Sequence, residues 1–488
     1  MKVNLAGYLP KFVFCCITLF TMIIPMALAE EAEDFVAKLK IHYQKSPPLE
    51  VFSLNYHYLG GGDPYQSWDY QSPDRYIALR MVEIDLIKMH FVENDIHHFP
   101  DGVTVNRVQF QNDTDSFFYD KNGISLGKRV IKQSMDTFQE LKGNIFINID
   151  FLAVTPLLEE SNVMANIKLH RNKISGQTTL THTTSDDNEI DYTFSDSPVS
   201  DTPIRLMSIN NKSQRKIYVY DDYQTTKGIT FARSIHKYYD GAIKPSFIHR
   251  IDQLHILEKI DPTRLQVPKE FGPIIPERDK TLVSEEIAAD LYLVTDSSAM
   301  RNSLFKVNAD EIMVFGAAVS RQLAEQTINL IQSQFPKKKI TSVYVTHPHS
   351  DHIAGLTVYA KRGIVIRADT YTIAAIKAYP HFAKDIATFK FQPIEHEQLL
   401  DGAHFYVLES TRSKRQGFVY FKDSGIIFQS DFLFVAFDNV IAKVIPNFSK
   451  TFIDFVRNKQ LKFSRIVGHH RNNNISPEVM NKTYDANM

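Results

Sequence analysis

Alternation of apolar and polar positions dominates the first half of the chain. Between about Val51 and Leu257, runs such as "GQTTLTHTT", "EIDYTF", "KIYVYDDY" and "SFIHRIDQLHIL" gather β-branched and aromatic residues in short stretches. Polar clusters, "TSDDN" and "NNKS" among them, separate the runs. Such a series predicts strands with one buried face, and hence a mostly antiparallel β domain. Two stretches depart from it with helical spacing, "AEDFVAKLKIHY" at 32–43 and "KRVIKQSMDTFQELKG" at 128–143. The segment "DPTRLQVPKEFGPIIPERDK" then brings four prolines. Proline lacks the N–H that a central strand or helix interior requires, so this segment predicts a linker. The expected organisation is a β domain over 30–261, a linker over 262–283 and a second domain over 284–488.

Beyond the linker the pattern alternates between strand and helix. "EIMVFGAA" is a short apolar strand, and the next segment places Ala324, Ile328, Ile331 and Phe335 on one helical face, with Ser320 positioned to cap it. "ITSVYVT" predicts a second strand, "GIVIRA" a third, and "TYTIAAIKAY" another helix. A hairpin follows, with "GFVYF" and "GIIFQSDF" joined through "KDSG". The fold class expected for the whole chain is therefore two-domain α/β (α+β).

The start of the chain sets a compartment. Lys2 and Lys11 precede an apolar run from Phe12 to Leu28 that closes on Ala27-Leu28-Ala29, a small-x-small cleavage pattern. Residues 1–29 thus read as a cleaved secretory signal, and the mature protein is expected in the periplasm or outside the cell. An uncleaved anchor is the competing reading. Cys15 and Cys16, the two cysteines, both lie in this segment. A mature chain without cysteine has no disulfide, thiolate ligand or cysteine nucleophile. The formal charge of -1, less the two signal lysines, becomes -3. Neither value suggests a nucleic-acid partner. Membrane contact and oligomeric state stay open.

Chemistry concentrates in "VTHPHSDHIAG", from Val345 to Gly355, where His347, His349, Asp351 and His352 fall within six residues. His347 and His349 are two apart, so on extended backbone they project to the same side and can grip one cation. Asp351 and His352 lie past the strand end and can turn to a second. Imidazole nitrogen and carboxylate oxygen suit Zn(II), and a catalytic zinc keeps a position open for water. Strand order places the motif at the C-terminal edge of a sheet, where α/β folds commonly build sites.

"THPHSDHIAG" resembles the His-x-His-x-Asp-His signature of the metallo-β-lactamase superfamily, and the strand, helix, strand order before it is similar to that family's. The resemblance covers roughly Ala288 to His470. It implies a C-terminal αβ/βα sandwich with one or two metals at the edge of its sheets. "IIFQSDFLF" resembles the strand that ends in a metal-bridging aspartate, here Asp431, and "IVGHH" resembles the late Gly-His element, which makes His469 a ligand. The implied metal set is His347, His349, Asp351, His352, Asp431 and His469, with Asp351 and Asp431 as the catalytic carboxylates.

The chain departs from the family pattern in one ligand. The histidine usual before the hairpin is missing from "YVLESTRSKRQGFVYF", and its place falls near Arg412, with Lys414 close by. A guanidinium stays protonated and cannot ligate in the ordinary way. Arg412 and Lys414 become candidates for binding a substrate carboxylate instead. His396 and His404 are the alternative replacements. The supporting carboxylate of many relatives is also absent from "VFGAA" at 314–318.

The leading expectation is a zinc-dependent hydrolase, holding one or two zinc ions or another divalent metal, that attacks an ester, thioester, lactone or phosphoester in a small molecule that the sequence does not name. Two alternatives stand beside it. One is a catalytically degenerate protein of the same fold, and the other is a module that binds lipid or another apolar ligand through the N-terminal β domain.

Overall fold

A computed structural model describes residues 31–487 apart from 44–48, 62, 125, 160–165, 173, 185–186, 196–203, 240, 276–280, 297–299 and 443. The signal-like segment 1–29 and both cysteines lie outside the described residues. Contacts divide the chain into two compact units, one formed by the described residues up to Glu50 with Gln139–Ile256, the other by Val51–Phe138 with Leu257–Met488.

The second unit begins with strands β1 (Val51–Gly61), β2 (Arg75–Asp85), β3 (His90–His98), β4 (Thr104–Gln111), β5 (Ser116–Asp120) and β6 (Val130–Gln133), an antiparallel meander. In β1 the burial alternates residue by residue, with Phe52, Leu54, Tyr56 and Tyr58 inward. That alternation is the sequence pattern made physical.

The first unit carries β7 (Ile167–Asn172), β8 (Gln177–Thr183), β9 (Glu189–Ser195), β10 (Arg205–Asn211), β11 (Lys216–Thr226), β12 (Ile229–Tyr239) and β13 (Phe247–Ile256) in the order β13-β12-β11-β10-β9-β8-β7. Phe194 on β9 packs edge-on against Phe35 of a helix over 31–43, with ring centroids 5.7 Å apart. The buried Asp150 carboxylate accepts the Ala232 N–H at 3.0 Å.

The stretch 128–143 differs from its expected helix. Val130–Gln133 is strand β6, and the helix is Thr137–Ile147. Val130 and Ile131 are β-branched, and they find a partner in β14 (Ile274–Ile275), which pairs with them in parallel. The proline-rich segment therefore contributes a strand. The division into units also falls elsewhere than at 262–283, because residues 51–138 group with the C-terminal part. A loop between β1 and β2 shows why. The Tyr65 hydroxyl donates to the Ala375 carbonyl at 3.0 Å, the Trp68 indole N–H to the Ser410 carbonyl at 2.8 Å, and Lys414 pairs with Asp69 at 2.7 Å.

The C-terminal part is the αβ/βα sandwich. One sheet runs β15 (Val283–Ala288), β16 (Leu291–Thr295), β17 (Ser303–Asn308), β18 (Glu311–Phe315), β19 (Lys339–Tyr344), β20 (Val365–Ala368) and β21 (Lys390–Pro393) in sequence order. The other runs β22 (Gln398–Leu400), β23 (Ala403–Leu408), β24 (Gln416–Phe421), β25 (Ile426–Gln429) and β26 (Arg465–Gly468). Between the sheets lie Leu304, Met313, Phe315 and Tyr344 against Phe405, Val419, Phe428 and Val467. Helices cover both outer faces. Ala324, Ile328 and Ile331 of helix Arg321–Gln334 pack on the first sheet, and Phe452, Ile453 and Val456 of helix Asn447–Asn458 on the second. Ser320 caps the first of these helices by accepting the Leu323 N–H, as its position predicts. Among the described residues no helix is long and apolar enough to cross a membrane.

Phe418 on β24 is fully buried, with Tyr406 stacked at 5.0 Å and Phe452, Phe455 and Phe432 edge-on at 5.2, 5.8 and 6.0 Å. Truncation there leaves a cavity that these stiff rings cannot fill. Phe418→Ala is expected to cost about 3–5 kcal/mol in urea denaturation, and a loss below about 1 kcal/mol would contradict a rigid core at this point.

Candidate metal centre

Strand β19 ends where Val345 N–H meets the Arg367 carbonyl, and the chain then turns into the short helix Ser350–Ile353. Gly355 closes that turn by donating to the Ala318 carbonyl at 3.0 Å, an approach so close that a Cβ there would lie 2.7 Å from the same oxygen. The motif residues are thereby delivered to the sheet edge, with His347, His349 and His352 buried and Asp351 half-buried. Asp431 arrives from the end of β25. Its φ of 58° is left-handed, a modest strain that Gln429 supports by accepting the N–H groups of Phe432 and Leu433.

Two sets of ligand-type atoms, His347–His352–Asp431 and Asp351–His352–His470, each lie within 4.8 Å of one another. His352 Nε2 belongs to both, so the sets merge into one compact cluster. His470 Nε2 lies 3.0 Å from His352 Nε2 and 3.0 Å from Asp431 Oδ1, and His347 Nε2 lies 3.6 Å from Asp431 Oδ2. The second nitrogens are held elsewhere. His352 Nδ1 is at 3.2 Å from Ser430 Oγ, and His347 Nδ1 at 3.1 Å from Thr346 Oγ1.

The sequence expectation named His469, whereas His470 supplies the nitrogen in these sets. Consecutive residues on extended backbone face different ways, so His470 presents its nitrogen to the sets while the His469 ring, still 5.0 Å from that of His352, is turned differently. His469 turns toward Gly316, where a Cβ would come within 2.6 Å of its Nδ1, and lies edge-on to Phe428 at 6.0 Å. His349 lies outside both sets. Its Nε2–H donates to the Ser67 carbonyl at 3.1 Å, which leaves Nδ1 as a buried lone pair without a hydrogen-bond partner. His396 bonds the backbone of Val407, so it does not replace the missing histidine, and neither it nor His404 enters the cluster.

Arg412 and Lys414, expected to hold substrate, are engaged with the protein itself. Arg412 Nε and Nη2 both donate to Asp431 Oδ2, at 3.1 and 2.9 Å, and Nη1 donates to Asp101 Oδ2 at 3.0 Å. Lys414 is bound to Asp69. Arg301, which the motif reading missed, donates through Nη1 and Nη2 to Asp351 Oδ2, both at 3.1 Å, and through Nη1 to His470 Nε2 at 3.1 Å. Gln66 reaches Asp351 Oδ1 at 3.2 Å. No local spacing signals Arg301, Gln66 or Asp101, because each meets the motif only through the fold.

Electrostatics prepare these groups as ligands. Burial, with neighbouring histidines, drives His347 and His469 well below the ordinary 6.5, while burial first and the Arg412 charge next take His349 to about 3. Burial also takes His470 to about 4. Burial pushes the Asp431 carboxyl up, but His470 and the Arg412 guanidinium outweigh it and hold the group well below the carboxylate range. Asp351 behaves alike, with His352 and His470, then Arg301, overcoming burial. Neutral imidazole nitrogens facing carboxylate oxygens repel through their lone pairs unless a proton or cation lies between them. The donor set therefore fits a divalent metal, with Asp351, His352, Asp431 and His470 to hold it and His347 at its edge.

Residues 302–435 match the family model of the metallo-beta-lactamase superfamily. The C-terminal part of the chain thus has the metallo-β-lactamase fold, and the segment 302–435 is of that superfamily. Solved structures similar to the chain include a metallo-β-lactamase from Hirschia baltica, with 14% identity over 42% of this chain and 98% of the other and a TM-score of 0.34. Another, from Erythrobacter litoralis, has 16% identity over 42% and 96% with a TM-score of 0.33. FIM-1 from Pseudomonas aeruginosa has 15% identity over 42% and 94% with a TM-score of 0.31. No curated protein matches the chain.

A pH dependence follows from the buried histidines. The folded pKa values of His347, His349, His469 and His470 lie below the ordinary 6.5, so between about 4 and 6.5 the unfolded chain binds more protons than the metal-free native protein. The stability that these groups contribute is complete above 6.5 and is lost as pH falls through that window. Urea midpoints of metal-free protein should decline from pH 7 to pH 4, and His470→Gln should flatten the decline. An equal slope in the variant would rule out His470 as a source.

Proposed function

We propose that the protein is a metal-dependent hydrolase whose centre is held by Asp351, His352, Asp431 and His470. The observation that carries this reading is the convergence of neutral imidazole nitrogens and ionised carboxylates on one point at the edge of the sandwich. Asp351, His352, Asp431 and His470 would hold a divalent cation, zinc by the nitrogen and oxygen donor set, which would supply Lewis acidity and lower the pKa of a water toward neutrality.

The chain's own groups have separable roles. His347 and His352 present lone pairs because Thr346 and Ser430 occupy their other nitrogens. Asp431 and Asp351 would hold the metal and orient a water beside it, and Arg412 and Arg301 keep both carboxylates ionised and aimed. Arg301 donates to Asp351 Oδ2 through both terminal nitrogens, and a metal held by His470 Nε2 would take the lone pair that faces Arg301 Nη1 at 3.1 Å. Esters, thioesters, lactones and phosphoesters are the substrate classes that suit such a centre. The signal-like residues 1–29 support export to the periplasm or beyond.

Elemental analysis of the mature chain, starting at Glu30, is the deciding experiment. Divalent metal should copurify or load on zinc addition, and His352→Ala with Asp431→Ala together should abolish it. Unchanged metal in the double variant would remove the assignment. Hydrolysis of at least one of the four ester classes should need the metal, and no turnover by fully loaded protein would leave binding without catalysis.

A further inference from the structure

Arg412 sits where the resemblance leads one to expect an imidazole, yet it is not an idle replacement. Its side chain is well shielded, at 18% exposure, and three of its nitrogens bond two carboxylates. Asp431 contributes Oδ2 to two of those bonds, and His347 Nε2 faces the same oxygen from 3.6 Å. Space and charge between His347 and Asp431, where a first cation would need to sit, are thus already claimed by a group that cannot lose its proton.

Asp101 belongs to the turn between β3 and β4, and that turn is itself fixed. Phe99 N–H donates to the Val103 carbonyl at 2.9 Å and Gly102 N–H to the Phe99 carbonyl at 3.0 Å. Asp101 Oδ1 accepts the Val103 N–H at 3.0 Å, so the carboxylate is pinned in its own turn before Oδ2 meets Arg412. Only 8% of the Asp101 side chain is exposed.

We propose that the Arg412 guanidinium takes the place of one of two cations, so that the centre holds a single divalent metal beside a fixed protein charge, with Asp101 as the positioning residue that keeps the guanidinium there. The proposal rests on the metal-centre reading above. The charges agree with it. Among the groups bonded to one another here, Asp351, Asp431 and Asp101 are three carboxylates against the two guanidiniums of Arg301 and Arg412, leaving one uncompensated negative charge before the buried Arg471, whose charge also acts on Asp431, is counted. One divalent ion reverses that to one positive, whereas two ions would leave three positive charges in a buried site. Arg412 also has five N–H donors, of which three serve Asp431 and Asp101 among the described residues. Two remain for an anionic substrate oxygen, the part that a second metal would otherwise play.

The test is zinc binding by the full mature chain, with stoichiometry from elemental analysis and affinity from calorimetric titration with zinc alone. Wild type and Arg412→Lys should bind one zinc, and Arg412→His should bind two. Asp101→Ala, which frees one anchor of the guanidinium, should reveal a second zinc at least about tenfold weaker than the second zinc of Arg412→His. Two zinc ions in wild type, or one in Arg412→His with native circular dichroism, would overturn the proposal while leaving the metal centre standing. No zinc in any variant would overturn both. Should Arg412→His fail to fold, Arg412→Gln decides, because it removes the guanidinium charge: a second zinc there supports the proposal and a count that stays at one overturns it. A count that stays at one in Asp101→Ala would remove Asp101 from its positioning role, because a residue with a merely structural part changes stability and leaves stoichiometry alone.

Discussion

A carboxylate buried as deeply as that of Asp431 needs a partner, and the arrangement of the loops around it follows from that need. Arg412 answers from the turn after β23, where Ser410 Oγ accepts the backbone N–H groups of Arg412 and Ser413 at 3.2 and 3.3 Å. Gln416, at the start of β24, donates to the Ser430 carbonyl and ties that turn to the residue before Asp431. Removing one member of such a buried set would strand the other as an uncompensated charge, which costs more than the pair itself contributes.

The same constraint draws the early strands into the site. Asp101 and Asp69 each face a cation from the 412–414 turn, Gln66 faces Asp351, and the Ser67 carbonyl fixes the tautomer of His349. Each contact leaves a lone pair or a charge of the centre pointing in one direction. Pre-aimed groups need no reorganisation when a metal or substrate arrives, and this is the chief electrostatic advantage of a buried polar site. The β1–β6 region therefore supplies hydrogen-bond partners to the cluster and its flanking turn through Asp101, Asp69, Ser67 and Gln66.

Much of the fold could be read along the chain because local periodicity carries it. Alternating runs became β8, β9, β11 and β13, the apolar face at Ala324, Ile328 and Ile331 became a buried helix face, and Ser320 became its cap. Reading failed where a partner distant in sequence decided the outcome. Val130–Gln133 had helical spacing, but pairing with β5 and Ile274–Ile275 made it a strand. The proline-rich segment marked a change of pattern without marking the boundary between compact units, since prolines report local backbone and not which strands pack together.

The sequence by itself pointed to a cluster of metal-ligand type and named Asp351 and Asp431 as its carboxylates, and both stand in the groups that the fold brings together. Three of its side chains, His347, Asp351 and His352, lie within six residues, and a strand end sets their directions. Tertiary structure alone decided three other matters. It turned His470 inward and His469 toward Gly316, it set Arg301 against Asp351, and it placed Arg412 between Asp431 and Asp101. Charge and lone pairs act over a few ångströms of space, and 311 positions of chain between Asp101 and Arg412 become 3.0 Å only after folding.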